Sequence, residues 1–170
     1  MSAPRRPEPV LPDVLAPGLA VVFCGTAAGR RSAAEGAYYA HPGNVFWRAL
    51  HQTGLTPRLL MPAEFPQLPA LGIGLTDLAK QHAGNDVDLP REAFDVAALL
   101  EKIERYQPRI LAFTSKTAAQ VWQRDVTGYG LQRQRIGGSQ VVVLPSPSGQ
   151  ARRYWTLEPW RQLAALCRAG

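Results

Sequence analysis

Apolar residues in this chain gather in short blocks, each closed by a turn-forming segment. The blocks are Leu19 to Gly25 (LAVVFCG), Gly72 to Leu78 (GIGLTDL), Arg109 to Thr114 (RILAFT) and Gln140 to Leu144 (QVVVL). Short, continuous runs of this kind read as buried strands, the second of them running into a loop. Leu131 to Ile136 alternates apolar and polar residues only weakly and suits an edge strand or a loop. Between the blocks the period changes. Val96, Leu99, Leu100 and Ile103 fall on one helical face behind the capping residue Asp95, and the helix is expected to reach Tyr106. Asn44 to Gln52, Ser115 to about Arg124, and Leu157 to Arg168 read as further helices. Strands alternating with helices predict an α/β fold, a parallel sheet with helices on both faces.

Proline marks the segments without a period. Residues 1–17 carry Pro4, Pro7, Pro9, Pro12 and Pro17, which predicts an extended, partly mobile arm ahead of a single domain over 18–170. Thr56 to Pro69 holds four prolines and reads as a loop, and Gln81 to Pro90 as a polar surface loop.

Composition narrows the function classes. The 170 residues suit one domain, and 46% hydrophobic content is enough for a core. A net charge of +6 favours polyanionic partners without specifying a fold. Cys24 and Cys167 sit in apolar surroundings, and no Cys/His spacing suits zinc, so no metal or other cofactor is expected. A cytoplasmic protein is the expectation: neither a signal peptide nor a membrane-length apolar stretch is present.

Three irregular segments follow predicted strands: Phe23-Cys24-Gly25-Thr26-Ala27-Ala28-Gly29, Gly74-Leu75-Thr76-Asp77-Leu78 and Leu144-Pro145-Ser146-Pro147-Ser148-Gly149. Open α/β sheets bind ligands beyond the carboxyl ends of their strands, so all three are placed to line one cleft. Taken alone, the glycine loop reads as a tight turn, since its GxxxG spacing is neither a dinucleotide fingerprint nor a phosphate loop. No acidic residue stands about 20 positions after Gly29, which argues against a nucleotide-binding α/β protein.

The same segments resemble a family. Phe23 to Gly29 is similar to the F-C-G-I-N-P-G of mismatch-specific uracil/thymine-DNA glycosylases, in the uracil-DNA glycosylase superfamily. Ala40 to Trp47 (AHPGNVFW) resembles their A-H-P-x-N-R-F-W, and Leu144 to Arg152 resembles their L-P-N-P-S-G-L-S-R. The three occur in the family's order, and the similarity runs from about Leu15 to the end of the chain. The resemblance implies a three-layer α/β/α sandwich with a central, mainly parallel sheet. It implies a monofunctional enzyme, expected to be a monomer, that flips uracil out of double-stranded DNA, notably from G·U mismatches, and hydrolyses its N-glycosidic bond without a metal. It places Tyr39 under the flipped base, the backbone of Gly25 and Thr26 at a uracil carbonyl, and Ser32 near the base's C5 edge. It places Ser148, Gly149, Gln150, Arg152 and Arg153 on a loop that wedges into the stack, or clamps phosphates.

The departures are specific. Ala27 stands where the family has a water-positioning Asn or Asp, and Ser146 where it has an Asn or His. A methyl group cannot orient water. The chain is therefore either a weak or inactive binder of damaged or mismatched DNA, or it takes its polar group from elsewhere. Asp77, beyond the second strand, is the candidate: a carboxylate can stabilise an oxocarbenium-like sugar and orient or deprotonate water. Glu35, Asp86 and Asp88 are weaker alternatives.

Overall fold

Alternation along each strand divides the apolar residues into two sets, and each set meets its own helices. The computed structural model describes residues 8–170. Five strands, β1 (Val21–Ala28), β2 (Ile73–Ala83), β3 (Ile110–Phe113), β4 (Gly130–Ile136) and β5 (Ser139–Val143), form one sheet in the order β2-β1-β3-β5-β4. All neighbours are parallel except β4 and β5. Val21, Phe23, Ile73, Leu75, Ile110, Ala112 and Val142 pack on one face against α2 (Phe46–Gln52) and α5 (Glu158–Arg168). Val22, Cys24, Leu78, Leu111, Phe113, Val141 and Val143 pack on the other against α3 (Val96–Tyr106) and α4 (Lys116–Trp122). The result is the expected three-layer α/β/α sandwich. Asp95 and Ser115 cap α3 and α4, accepting from Ala98 N–H and Ala118 N–H, as their positions predict. No helix of the described residues is long and apolar enough to cross a membrane.

The edges differ from expectation. Of the segment read as an arm over 1–17, residues 1–7 lie outside the described residues. The remainder is packed: Leu11 and Val14 are buried, and Val14 exchanges backbone hydrogen bonds with Leu75 of β2. Val10 N–H adds a third bond, to Lys80 O. This segment covers the outer edge of β2 and satisfies backbone groups that would otherwise stand open. Residue 17 therefore does not mark a change in packing.

Three local readings are corrected, and the first concerns Asp77: expected beyond the second strand, it lies inside β2, which continues past Leu78 to Ala83. β1 continues through Ala28, paired with a β2 that runs on to Ala83, so the Gly25–Gly29 segment is mostly strand with a bulge rather than a tight turn. A long neighbour supplies the ladder partners that a sequence pattern cannot reveal. A short helix, α1 (Arg30–Glu35), follows immediately. The proline-rich stretch read as a loop contains a 3-10 helix over Pro62–Leu71, where proline's fixed φ is tolerated.

Candidate active site

β1 and β3 lie beside each other and their following connections diverge, β1 toward β2 at one edge and β3 toward β4 at the other, the switch point at whose carboxyl ends such sheets form a crevice. The buried-face alternation carries polar groups into that crevice. On β2 the series Ile73, Leu75 is followed by Asp77; on β1, Val21, Phe23 by Gly25 and Ala27; beyond β3, Ile110, Ala112 by Thr114. Asp77 and Gly25 are register partners. A row of side chains that is apolar in the core therefore turns polar at Asp77 and Thr114, with the Ala27–Ala79 pair beyond.

Gly25 is the centre of this row. A Cβ at Gly25 would stand 2.8 Å from Asp77 Oδ1 and 3.4 Å from both Thr114 Oγ1 and Tyr39 Oη. Three polar atoms from three chain segments thus converge on the space that the missing side chain leaves. Tyr39 Oη and Thr114 Oγ1 lie 3.2 Å apart and share a hydrogen bond. Tyr39 takes a left-handed backbone, φ 52°, which costs an aromatic residue on the order of 1–3 kcal/mol. Its ring stacks on Phe46 at 4.0 Å and 21°. The strain and the stacking together fix the ring at the crevice, half-exposed.

Asp77 is 6% exposed, and among the described residues no hydrogen bond ends on its carboxylate. Burial pushes its pKa up to about 6. Lys80 and Lys102 oppose that shift, and the charge of Asp13 adds to it. Burial and the Asp77 charge also push the Tyr39 hydroxyl well above the usual range, so Tyr39 is a neutral hydrogen-bonding group. A desolvated carboxylate that titrates near neutrality and has no partner is suited to general-base work or to stabilising a cation.

The other expected residues stand in differing surroundings. Ala27 is half-buried two positions along β1 from Gly25, and Thr26 turns its hydroxyl away to Asp86 at 2.6 Å. Ser32 is buried and its Oγ accepts from Ala40 N–H at 3.0 Å, which ties α1 to the segment carrying Tyr39. Ser146 and Ser148 brace their own loop, accepting from Ser148 N–H and Gln150 N–H respectively. That loop docks on the His41–Asn44 turn: Val45 N–H donates to Pro147 O, and a Cβ at Gly149 would stand 3.1 Å from Gly43 O. Gln150, Arg152 and Arg153 are exposed on its outer side, over a 3-10 helix at Gly149–Tyr154. Glu35 is an exposed partner of Arg31 at 2.6 Å. The structure thus brings Asp77, Gly25 and Tyr39 together and leaves Glu35 outside.

Thr114 was not expected. Its signal was available: a polar residue at the position where Ile110 and Ala112 predict the buried face. What the pattern lacked was any indication that Tyr39, 75 positions away, would bond to it.

The chain has relatives. The sequence profile of the Uracil DNA glycosylase superfamily matches residues 12–168. Among solved structures, the solution NMR structure of a Methanosarcina acetivorans protein, provisionally described as a uracil DNA glycosylase, superposes with a TM-score of 0.65. The match is 24% identical and covers 94% of this chain and 95% of that one, a likeness in fold.

Proposed function

Because the chain belongs to the uracil DNA glycosylase superfamily, we propose that it is a monofunctional DNA glycosylase of the mismatch-specific kind, removing uracil from double-stranded DNA with Asp77 as the catalytic carboxylate. The observation that carries this reading is the unpartnered Asp77 carboxylate, buried against Gly25 beside Tyr39 and Thr114. A base within the stack is out of reach, so extrusion must come first, at a cost of a few kcal/mol. The loop over Ser148, Gly149 and Gln150 enters the vacated space, and Arg152 and Arg153 hold phosphates. Gln150 makes this wedge polar, suited to hydrogen bonding with an orphaned base. The flipped uracil rests against Tyr39, with the backbone of Gly25 and Thr26 at its carbonyl and Ser32 limiting the volume near C5.

Bond cleavage develops positive charge on the sugar and negative charge on the departing base. Ionised Asp77 stabilises the first in a desolvated setting, where the interaction is strong. It then accepts a proton from the water that adds to the sugar carbon, completing hydrolysis.

The experiment is single-turnover excision from duplexes carrying uracil opposite guanine or adenine, with wild type and Asp77→Asn. Release from the G·U duplex that falls at least roughly 100-fold in the variant, with duplex binding kept, supports the assignment. Parental excision by Asp77→Asn sinks the role of Asp77. Binding with no excision by wild type leaves a damaged-DNA-binding protein.

A further inference from the structure

The docking of the Pro147–Ser148 loop on the Gly43–Val45 turn creates a second cleft, of about 370 Å³, apart from the Asp77 crevice. Val45, Pro147 and Trp155 give its lining an apolar part, and Arg48 and Arg152 line it beside Gly43 and Ser148. That volume lies within the range of roughly 300–1,000 Å³ typical of small-ligand sites. The two arginines bring positive charge that nothing nearby cancels: among the described residues neither has a carboxylate within ion-pair distance. Arg48 makes one long contact, Nη2 to Asn44 O at 3.4 Å, and Arg152 reaches toward Gly43. Trp155 is half-exposed and its indole rests on Trp160 at 5.7 Å and 47°, so the indole is braced by the core.

We infer that this cleft binds one unpaired nucleotide next to the extruded base, with its base against Trp155 and Pro147 and its phosphate between Arg48 and Arg152. The inference rests on the glycosylase reading for its choice of DNA. The chemistry selects a nucleotide over a bare phosphate because the two cations share one cleft with an indole, a valine and a proline. It selects an unpaired one because a base inside a duplex has both faces covered by neighbours and cannot stack on an indole. The cleft is close to the first site along the chain: Val45 lines it, and the next residue, Phe46, stacks under Tyr39. A strand whose flipped base rests at Tyr39 would place a neighbouring nucleotide at Trp155, with affinity gained where the neighbouring pair is melted or absent.

The test uses the full-length protein and uracil-free single-stranded pentathymidylate, with intrinsic fluorescence and a salt titration as readouts. Binding is expected to quench Trp155. Trp155→Leu weakens affinity roughly 5- to 150-fold with the salt slope unchanged, and Trp155→Phe restores most of it. Arg48→Ala lowers the salt slope by about 0.7, as expected for one lost phosphate contact on a single strand, and Arg48→Lys retains it. Oligonucleotides with an abasic residue on the 5′ or the 3′ side of the central position identify which neighbour occupies the cleft. Parental affinity and slope in both Trp155→Leu and Arg48→Ala, with both variants folded, overturn the inference. Normal binding of this kind by a protein that releases no uracil removes the glycosylase reading and leaves the cleft. Uracil release with unaltered binding by both variants does the reverse.

Discussion

Two carboxylates flank the edge strand β2, and their surroundings could hardly differ more. Asp13, from the segment that covers the strand, accepts from Lys80 at 3.0 Å, Lys102 at 2.8 Å and Thr76 Oγ1 at 2.7 Å. Burial alone would raise its pKa, but the two lysines and the hydroxyl outweigh burial and hold it below the usual carboxylate range. Asp77, on the opposite face of the same strand, is more deeply buried and has no such partner among the described residues. Burial wins there. The contrast separates structure from function: a carboxylate with all its bonds made joins a terminal segment, a strand and a helix, while one left without partners is free to meet a substrate. Lys80 also donates to Tyr38 Oη, which in turn donates to Pro12 O, so the network extends to the residue preceding Tyr39.

Removing the unpartnered charge should give the largest effect. Besides the loss in Asp77→Asn, wild-type single-turnover excision should fall as pH drops through about 6, because the carboxylate acts only when ionised. A flat rate between pH 5 and 8 would contradict this.

Stability should move the other way. With a folded pKa of about 6 against an ordinary aspartate value of 3.8, Asp77 holds its proton more tightly in the native state. The cost of burying its charge is thus absent below about pH 4, grows as pH rises, and reaches up to about 3 kcal/mol above pH 6. Asp77→Asn should therefore melt higher than wild type at pH 8 and show no such advantage at pH 4. Identical melting curves at both pH values would mean that Asp77 is hydrated rather than desolvated.

Asp13→Asn tests the partnered carboxylate and should reverse the sign. Lys80 and Lys102 lose their anion, at a cost of about 1–3 kcal/mol, moderated because the cluster is partly solvated. The stabilisation from Asp13 is present above the ordinary carboxylate pKa and lost as pH falls through its lowered value, so the deficit should vanish in acid. The unpaired lysines should also draw the Asp77 titration down, moving the acid limb of the excision profile below about pH 6. A stability loss with an unmoved limb would show the two carboxylates to be uncoupled.

The smallest change is expected from Tyr39→Phe, which deletes the bond to Thr114 but keeps the ring on Phe46. A loss of about 0.5–1.5 kcal/mol in stability is expected, with excision within roughly tenfold of wild type. Tyr39→Ala should cost both stability, through lost packing on Phe46, and about 1–3 kcal/mol of base stacking. Calorimetry and excision rates on the same samples separate the two.

The strands, the capped helices and their order were legible because each depends on local periodicity: Val96, Leu99 and Ile103 fix a helix face, and LAVVFCG fixes a buried strand. The candidacy of Asp77 was legible too, as the acid nearest the glycine segment once Ala27 and Ser146 lacked the family's polar groups. What lies between positions far apart in the chain was not. No pattern in β1 shows that β2 will pair with it through Ala28, or that a proline-rich beginning will bring Leu11, Asp13 and Val14 onto the sheet edge. The convergence of Asp77, Thr114 and Tyr39 on the absent side chain of Gly25 joins four segments. Its pKa consequence depends on which charges are near and how much water is removed. Periodicity sets which way each side chain points within its own element. Only the packing of those elements decides what it faces, and so whether an aspartate is a strut or a base.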